Sequence, residues 1–112
     1  MKINKELLKG STTLLILRLL ETENMYGYEM IKDLKERSEN VFELKEGTLY
    51  PILHSLEENG LIDSYWDEST AKKRKYYTIT KEGKRQLKAK KEEWEIFSKG
   101  MNQVIGGACC AN

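Results

Sequence analysis

The stretch Gly47-Thr48-Leu49-Tyr50-Pro51-Ile52-Leu53-His54-Ser55-Leu56-Glu57-Glu58-Asn59 constrains the fold more than any other part of the chain. Leu49, Ile52, Leu53 and Leu56 fall at i, i+3, i+4 and i+7, the spacing of a helix buried along one narrow face. Thr48, Tyr50, Pro51, His54 and Ser55 fall opposite, so such a helix has a core side and a free polar side. Pro51 is expected in or near the first turn, where its missing N–H costs least and its ring stiffens the helix end. Asn59-Gly60 is a stop signal. Two runs rich in aromatic and β-branched residues follow, 61–66 and 75–79, and predict paired strands. The loop from Asp67 to Arg74 is too long for a two-residue turn, and Lys72-Lys73-Arg74-Lys75 puts a cationic tip on the hairpin.

Upstream, a first helix is expected from Asn4, a good N-cap residue, to about Glu21. Leu7, Gly10, Leu14 and Leu17 line one side of it and Leu8, Leu15, Leu19 and Leu20 others, so it needs cover from more than one direction. Thr22 to Met25 reads as a turn. A second helix runs from about Tyr26 to Arg37, with Gly27, Met30, Ile31 and Leu34 on its apolar stripe. A glycine inside a helix costs about 1 kcal/mol against alanine, so Gly27 predicts a place where another backbone comes close. Downstream, Thr80 caps a last helix reaching about Ile105, with Leu87, Trp94 and Met101 seven residues apart and Phe97 and Val104 repeating that interval. Its first half is strongly charged, which concentrates the apolar seam from Trp94 onward.

These elements give a mainly α fold with a small β-hairpin: a winged helix-turn-helix over 1–80, a long C-terminal dimerisation helix over 81–105 and a flexible tail over 106–112. At 112 residues the chain supports one modest core, and help from a second subunit is expected. Lys and Arg number 19 against 18 Asp and Glu, a net charge of +1, so affinity for nucleic acid has to come from where the cations lie. The longest nearly apolar run, Leu14 to Leu20 broken by Arg18, is far too short to span a bilayer, and no charged-then-apolar leader opens the chain. A soluble, cytoplasmic protein without a membrane association is the expectation. Cys109 and Cys110 are neighbours near a Gly-rich end and lack both a disulfide framework and the spacing of a zinc site.

Catalysis is the weakest reading. The chain has one His, no metal-spaced cluster, no phosphate-cradling Gly loop and no nucleophile with a base close in sequence, so neither a metal nor another cofactor is expected. His54, on the polar face, reads as a solvated or phosphate-touching side chain. A half-buried helix beside a cationic hairpin instead suits binding to double-stranded DNA, the helix entering a groove and the hairpin reaching flanking phosphates. The rival is a winged helix serving as a protein-interaction module, its lysines mere solubility charge.

Four motifs in order, Tyr26-Gly27-Tyr28-Glu29-Met30, Gly47-Thr48-Leu49-Tyr50-Pro51, Leu56-Glu57-Glu58-Asn59-Gly60-Leu61-Ile62 and Arg74-Lys75-Tyr76-Tyr77-Thr78-Ile79-Thr80, resemble the PadR family of bacterial transcriptional regulators. The resemblance covers about Leu7 to Trp94. It implies a homodimeric repressor of a palindromic operator, with DNA contacts from Gly47, Thr48, Tyr50, Pro51 and His54 on the third helix and Lys73, Arg74 and Lys75 on the wing. Ser55 stands where a basic residue is common, which leaves one phosphate contact without its usual cation. The short C-terminal part is similar to the small-member branch of the family, which includes multidrug-responsive regulators. That likeness implies a dimer interface through Trp94, Phe97, Met101 and Val104. It also implies a site for a small flat aromatic effector between subunits, lined by Leu7, Thr13, Leu14, Leu17, Trp94, Phe97 and Ser98; packing alone is the plainer role for Trp94.

Overall fold

A computed structural model describes residues 8–106. Its elements in chain order are α1 (Thr12–Thr22), β1 (Met25–Tyr26), α2 (Gly27–Arg37), α3 (Glu46–Glu58), β2 (Ile62–Asp67), β3 (Arg74–Ile79) and α4 (Lys81–Ile105). Three helices thus precede a hairpin and a long terminal helix, the mainly helical winged arrangement expected. Leu7, Asn4 and both cysteines lie outside the described residues.

The expected first helix is interrupted within the described residues, and its expected start at Asn4 lies outside them. Leu8 and Lys9 are helical, a turn at Gly10–Ser11 interrupts the run, and α1 proper starts at Thr12. Glycine is a weak helix former and serine competes for local backbone bonds, so the chain breaks where those two meet. The Ser11 N–H donates to the Leu8 carbonyl and the Leu15 N–H to the Ser11 carbonyl. From there Ile16, Leu17, Leu19 and Leu20 are all sealed into the core. Leu17, one of the residues expected at an effector site, is fully buried in this core.

Met25, expected in a turn, and Tyr26, expected at the start of the second helix, instead form a strand. The sheet order is β1-β3-β2, fully antiparallel, with Met25 opposite Tyr77 and Tyr26 opposite Tyr76. A two-residue strand has no periodicity to read. It exists because Met25 fills the core and the free edge of β3 offers ladder partners. The Tyr26 N–H then donates to Glu29 Oε1 at 3.2 Å, capping α2, and the Glu29 carboxylate is favoured at that helix start.

In α3, Leu49, Leu53 and Leu56 are buried and Ile52 half-buried, as the spacing requires. Pro51 is the sixth residue of the helix, in its second turn rather than its first. It supplies no N–H to the carbonyl of Gly47 four residues earlier, the bond an interior helix residue ordinarily makes.

The hairpin pairs Ile62 with Ile79 through Asp67 with Arg74. Arg74 and Lys75 thus belong to β3, and only Lys72 and Lys73 of the basic run sit in the loop. Asp67 organises that loop, its Oδ1 accepting from both the N–H and the hydroxyl of Ser69 at 2.9 and 2.6 Å. These bonds hold the Asp67 carboxyl below its ordinary range.

The junction to α4 is tight. Thr80 Oγ1 accepts from the Gly83 N–H at 3.0 Å, as an N-cap should, and donates to the Gly60 carbonyl at 2.7 Å. Gly83 packs directly on the chain entering β2, close to the Leu61 carbonyl. Leu87, expected on one seam with Trp94 and Met101, is instead buried in the domain core, where α4 lies against α1. From Trp94 onward the helix leaves the body, with Trp94, Ile96, Phe97, Met101, Val104 and Ile105 all exposed, and the described chain spans 54 × 30 × 23 Å.

Candidate nucleic-acid interface

The free face of α3 carries Gly47, Thr48, Pro51, His54 and Ser55 in the open. His54 Nε2 lies 3.5 Å from Glu58 Oε2 one turn on, both side chains well exposed, so the imidazole is tied to a surface carboxylate and poised for nothing catalytic. Glu57 turns the other way and accepts from the Ser64 hydroxyl at 2.6 Å, fastening α3 to β2.

Tyr50 behaves differently from its neighbours. At 43 % exposure it is open to solvent, yet its ring leans back over Gly27 at the start of α2. A Cβ at Gly27 would stand 2.5 Å from the Tyr50 hydroxyl oxygen and 2.9 Å from Cζ. The glycine thus admits a side chain from α3, where the sequence predicts a backbone neighbour. Gly27→Ala is expected to keep the fold, because the far end of the ring can swing away, while lowering DNA affinity about tenfold through loss of one well-placed contact. Fluorescence anisotropy checks this, and adding Tyr50→Ala should cost little more, since the ring forced to move is then gone.

Between α3, the start of α2 and the hairpin runs a cleft of about 510 Å³ lined by Tyr26, Gly27, Tyr50, Trp66, Lys73, Arg74, Lys75 and Tyr77. Cations sit over rings along it. Lys73 Nζ is 5.2 Å from the Trp66 ring centre, the Arg74 guanidinium 4.6 Å from Tyr26 and Lys75 Nζ 5.7 Å from Tyr77. Lys73 also pairs with Glu68 at 3.5 Å. The outer side of the sheet continues the aromatic surface, Tyr76 stacking on Tyr65 at 5.8 Å and meeting Tyr26 edge-on at 5.4 Å. Among the described residues no group of His, Cys, Asp and Glu could hold a metal ion, and no helix is long and apolar enough to cross a membrane.

The expected DNA-contacting residues therefore divide. Tyr50 and Lys73, Arg74 and Lys75 meet around the cleft, whereas Gly47, Thr48, Pro51 and His54 lie on open helix surface. Tyr26, Trp66 and Tyr77 are cleft residues that sequence reasoning missed. Their signal was the placing of Tyr65-Trp66 and Tyr76-Tyr77 in facing strands beside the basic run. Of the residues assigned to effector and dimer, Thr13, Leu14 and Ser98 are half-buried, and the Trp94 and Phe97 rings lie 6.0 Å apart on the exposed end of α4 with Met101 and Val104 beyond.

Three helices and a hairpin, with the third helix open on its polar side and cations beside it, make a winged helix-turn-helix of the kind that regulates transcription. The family described as "Transcriptional regulator PadR-like family" matches residues 16–89. A transcriptional regulator from Clostridium thermocellum superimposes with a TM-score of 0.83 at 39 % identity, covering 88 % of this chain and 97 % of that one. A PadR family transcription regulator from Clostridium difficile gives 0.77 at 42 % identity, covering 85 % and 98 %. In sequence the chain is also 38 % identical over 107 residues to uncharacterized protein X of Lysinibacillus sphaericus, covering 88 % of this chain and 98 % of the relative. The chain belongs to the PadR-like family of transcriptional regulators, and it is not an enzyme.

Proposed function

We propose that the protein is a dimeric, cytoplasmic repressor that sets α3 into the major groove of a palindromic operator, with the hairpin on the flanking backbone. The observation that carries this reading is that Tyr50 of α3 and the three cations of the hairpin line one cleft, with the rest of the polar face of α3 exposed. Thr48, Tyr50, Pro51 and His54 would meet base edges and nearby phosphates, and Lys73, Arg74 and Lys75 the backbone. The Lys73–Glu68 pair is exposed and of little energetic weight, so it yields readily to a phosphate.

Dimerisation would use the projecting end of α4, where Trp94, Phe97, Met101 and Val104 offer more apolar surface than a lone helix leaves in water. Two subunits joined there hold their α3 helices one DNA turn, ~34 Å, apart. A small flat aromatic effector lodged between subunits beside Trp94 and Phe97 would release the operator by favouring another spacing, in proportion to its differential affinity for the two arrangements.

Footprinting on the protein's own upstream DNA, followed by a salt titration on the protected duplex, tests the core of this reading. Protection of two symmetric half-sites is expected, with log affinity falling steeply as log salt rises. Lys73→Ala and Arg74→Ala should each flatten the slope by about 0.9. Feeble binding blind to sequence, unchanged by either substitution, would sink it in favour of a protein-interaction module.

A further inference from the structure

Glu57 lies seven residues after Tyr50, on the same stripe of α3, and its Oε2 accepts from the Ser64 hydroxyl at 2.6 Å. Both residues are half-buried. On β2, Ser64 faces the same way as Trp66, and Tyr77 is its pairing partner on β3. Tyr50, Trp66 and Tyr77 all line the cleft, so the bond sits between it and the Asn59–Gly60 turn where helix and hairpin part. Among the described residues it is the only side-chain hydrogen bond between α3 and the hairpin, and no ion pair joins the two. Burial, and after it the charge of Glu57, pushes the Tyr77 phenol above its usual range, so the carboxylate is felt on β3 as well.

A bond so near the vertex acts on a long arm. At ~3.3 Å per residue the chain from Gly60 to Asp67 carries the hairpin tip roughly 23 Å from the turn, and a change of about 10° there moves the tip about 4 Å. That exceeds the length of a hydrogen bond from a cation to a phosphate, ~2.8 Å. Leu56 and Ile62 pack helix and hairpin together, but apolar packing has no direction, whereas a 2.6 Å bond to a carboxylate fixes an angle. We propose that Glu57 and Ser64 are positioning residues for operator recognition: their bond sets the angle between α3 and the hairpin, and so which phosphate the wing meets for a given set of bases under the helix. This rests on the DNA-binding reading and adds to it two residues that touch no nucleotide. Without the bond the angle has to be fixed on the operator itself, an ordering cost that falls on specific binding, since non-specific contacts accept any wing position.

Affinity is measured by anisotropy for the footprinted duplex and for a scrambled duplex of the same length, with thermal melting as a control on folding. Ser64→Ala should lower the ratio of the two affinities about tenfold, nearly all of it from the footprinted duplex. Glu57→Ala should lower the ratio equally, and the double variant no further, because each substitution already removes the one bond. Ser64→Thr keeps a hydroxyl and Glu57→Gln keeps an acceptor, so both should retain the wild-type ratio. A ratio unchanged in Ser64→Ala overturns the positioning role and leaves the DNA-binding reading standing. Ser64→Thr as defective as Ser64→Ala also overturns it, since the hydroxyl is then not what matters. Wild type that does not prefer the footprinted duplex removes both readings.

Discussion

Replacing Gly83 by alanine is expected to destabilise the fold by about 3 kcal/mol, a loss of more than about 10 °C in melting temperature for a domain of this size. A Cβ at this position would lie 2.1 Å from the Leu61 carbonyl oxygen and 2.7 Å from the Ile79 side chain. The carbonyl is main chain and cannot step aside as a side-chain tip can. It also accepts from the Thr80 N–H at 3.1 Å, so moving it loosens the cap of α4 as well. Differential scanning calorimetry reads the effect directly. A melting temperature within a degree or two of wild type would mean that α4 and the hairpin can separate cheaply.

Placing aspartate at both Met101 and Val104 is expected to leave the winged-helix body folded but monomeric, and to weaken binding to a two-half-site operator by about 10² to 10⁴. Both side chains are exposed, Val104 at 88 %, so their change removes no core contact. The loss comes from the second half-site, whose local concentration near the first depends on the two subunits being joined. Sedimentation velocity gives the oligomeric state, and anisotropy on one-half-site and two-half-site duplexes gives the affinities. Similar losses on both duplexes would count against a joined pair.

The periodic parts of the fold were open to reading from the chain. Leu49, Ile52, Leu53 and Leu56 placed α3 and its free face, and Thr80 marked the start of α4, because helix burial and capping leave patterns several residues long. What escaped was set by single residues or by contacts remote in sequence. Met25 and Tyr26 are too few to show alternation, and only the open edge of β3 makes them a strand. Leu17 and Leu87 satisfy the spacing of an interface stripe as well as that of a core stripe; the packing of α1 on α4 decides for the core. Pro51 was placed a turn too early because Glu46 already belongs to the helix.

The candidate site was legible in its chemistry and not in its shape. Lys73, Arg74, Lys75 and Tyr50 stood out as polar and cationic groups near a half-buried helix. That they converge depends on Tyr50 lying over Gly27 and on the aromatic pairs folding back across the hairpin. Tyr50 and Gly27 are 23 positions apart, Tyr65 and Tyr76 are 11 apart across the hairpin, and no local pattern encodes either encounter. Tyr77 was hidden for a further reason, since a tyrosine in a strand beside other tyrosines looks like ordinary sheet packing.

The Thr80–Gly60 bond and the seating of Gly83 on Leu61 remove any joint between the hairpin and the long helix that follows. With α4 clamped at its root and projecting far beyond the body, the pair behaves as a lever whose handle is the apolar end and whose short arm is the wing. A small tilt imposed at Trp94 would be passed toward β3 through these two contacts at the root of the helix. Control exerted at the far tip would therefore arrive at the hairpin as a change of angle, with no segment having to melt or order on the way.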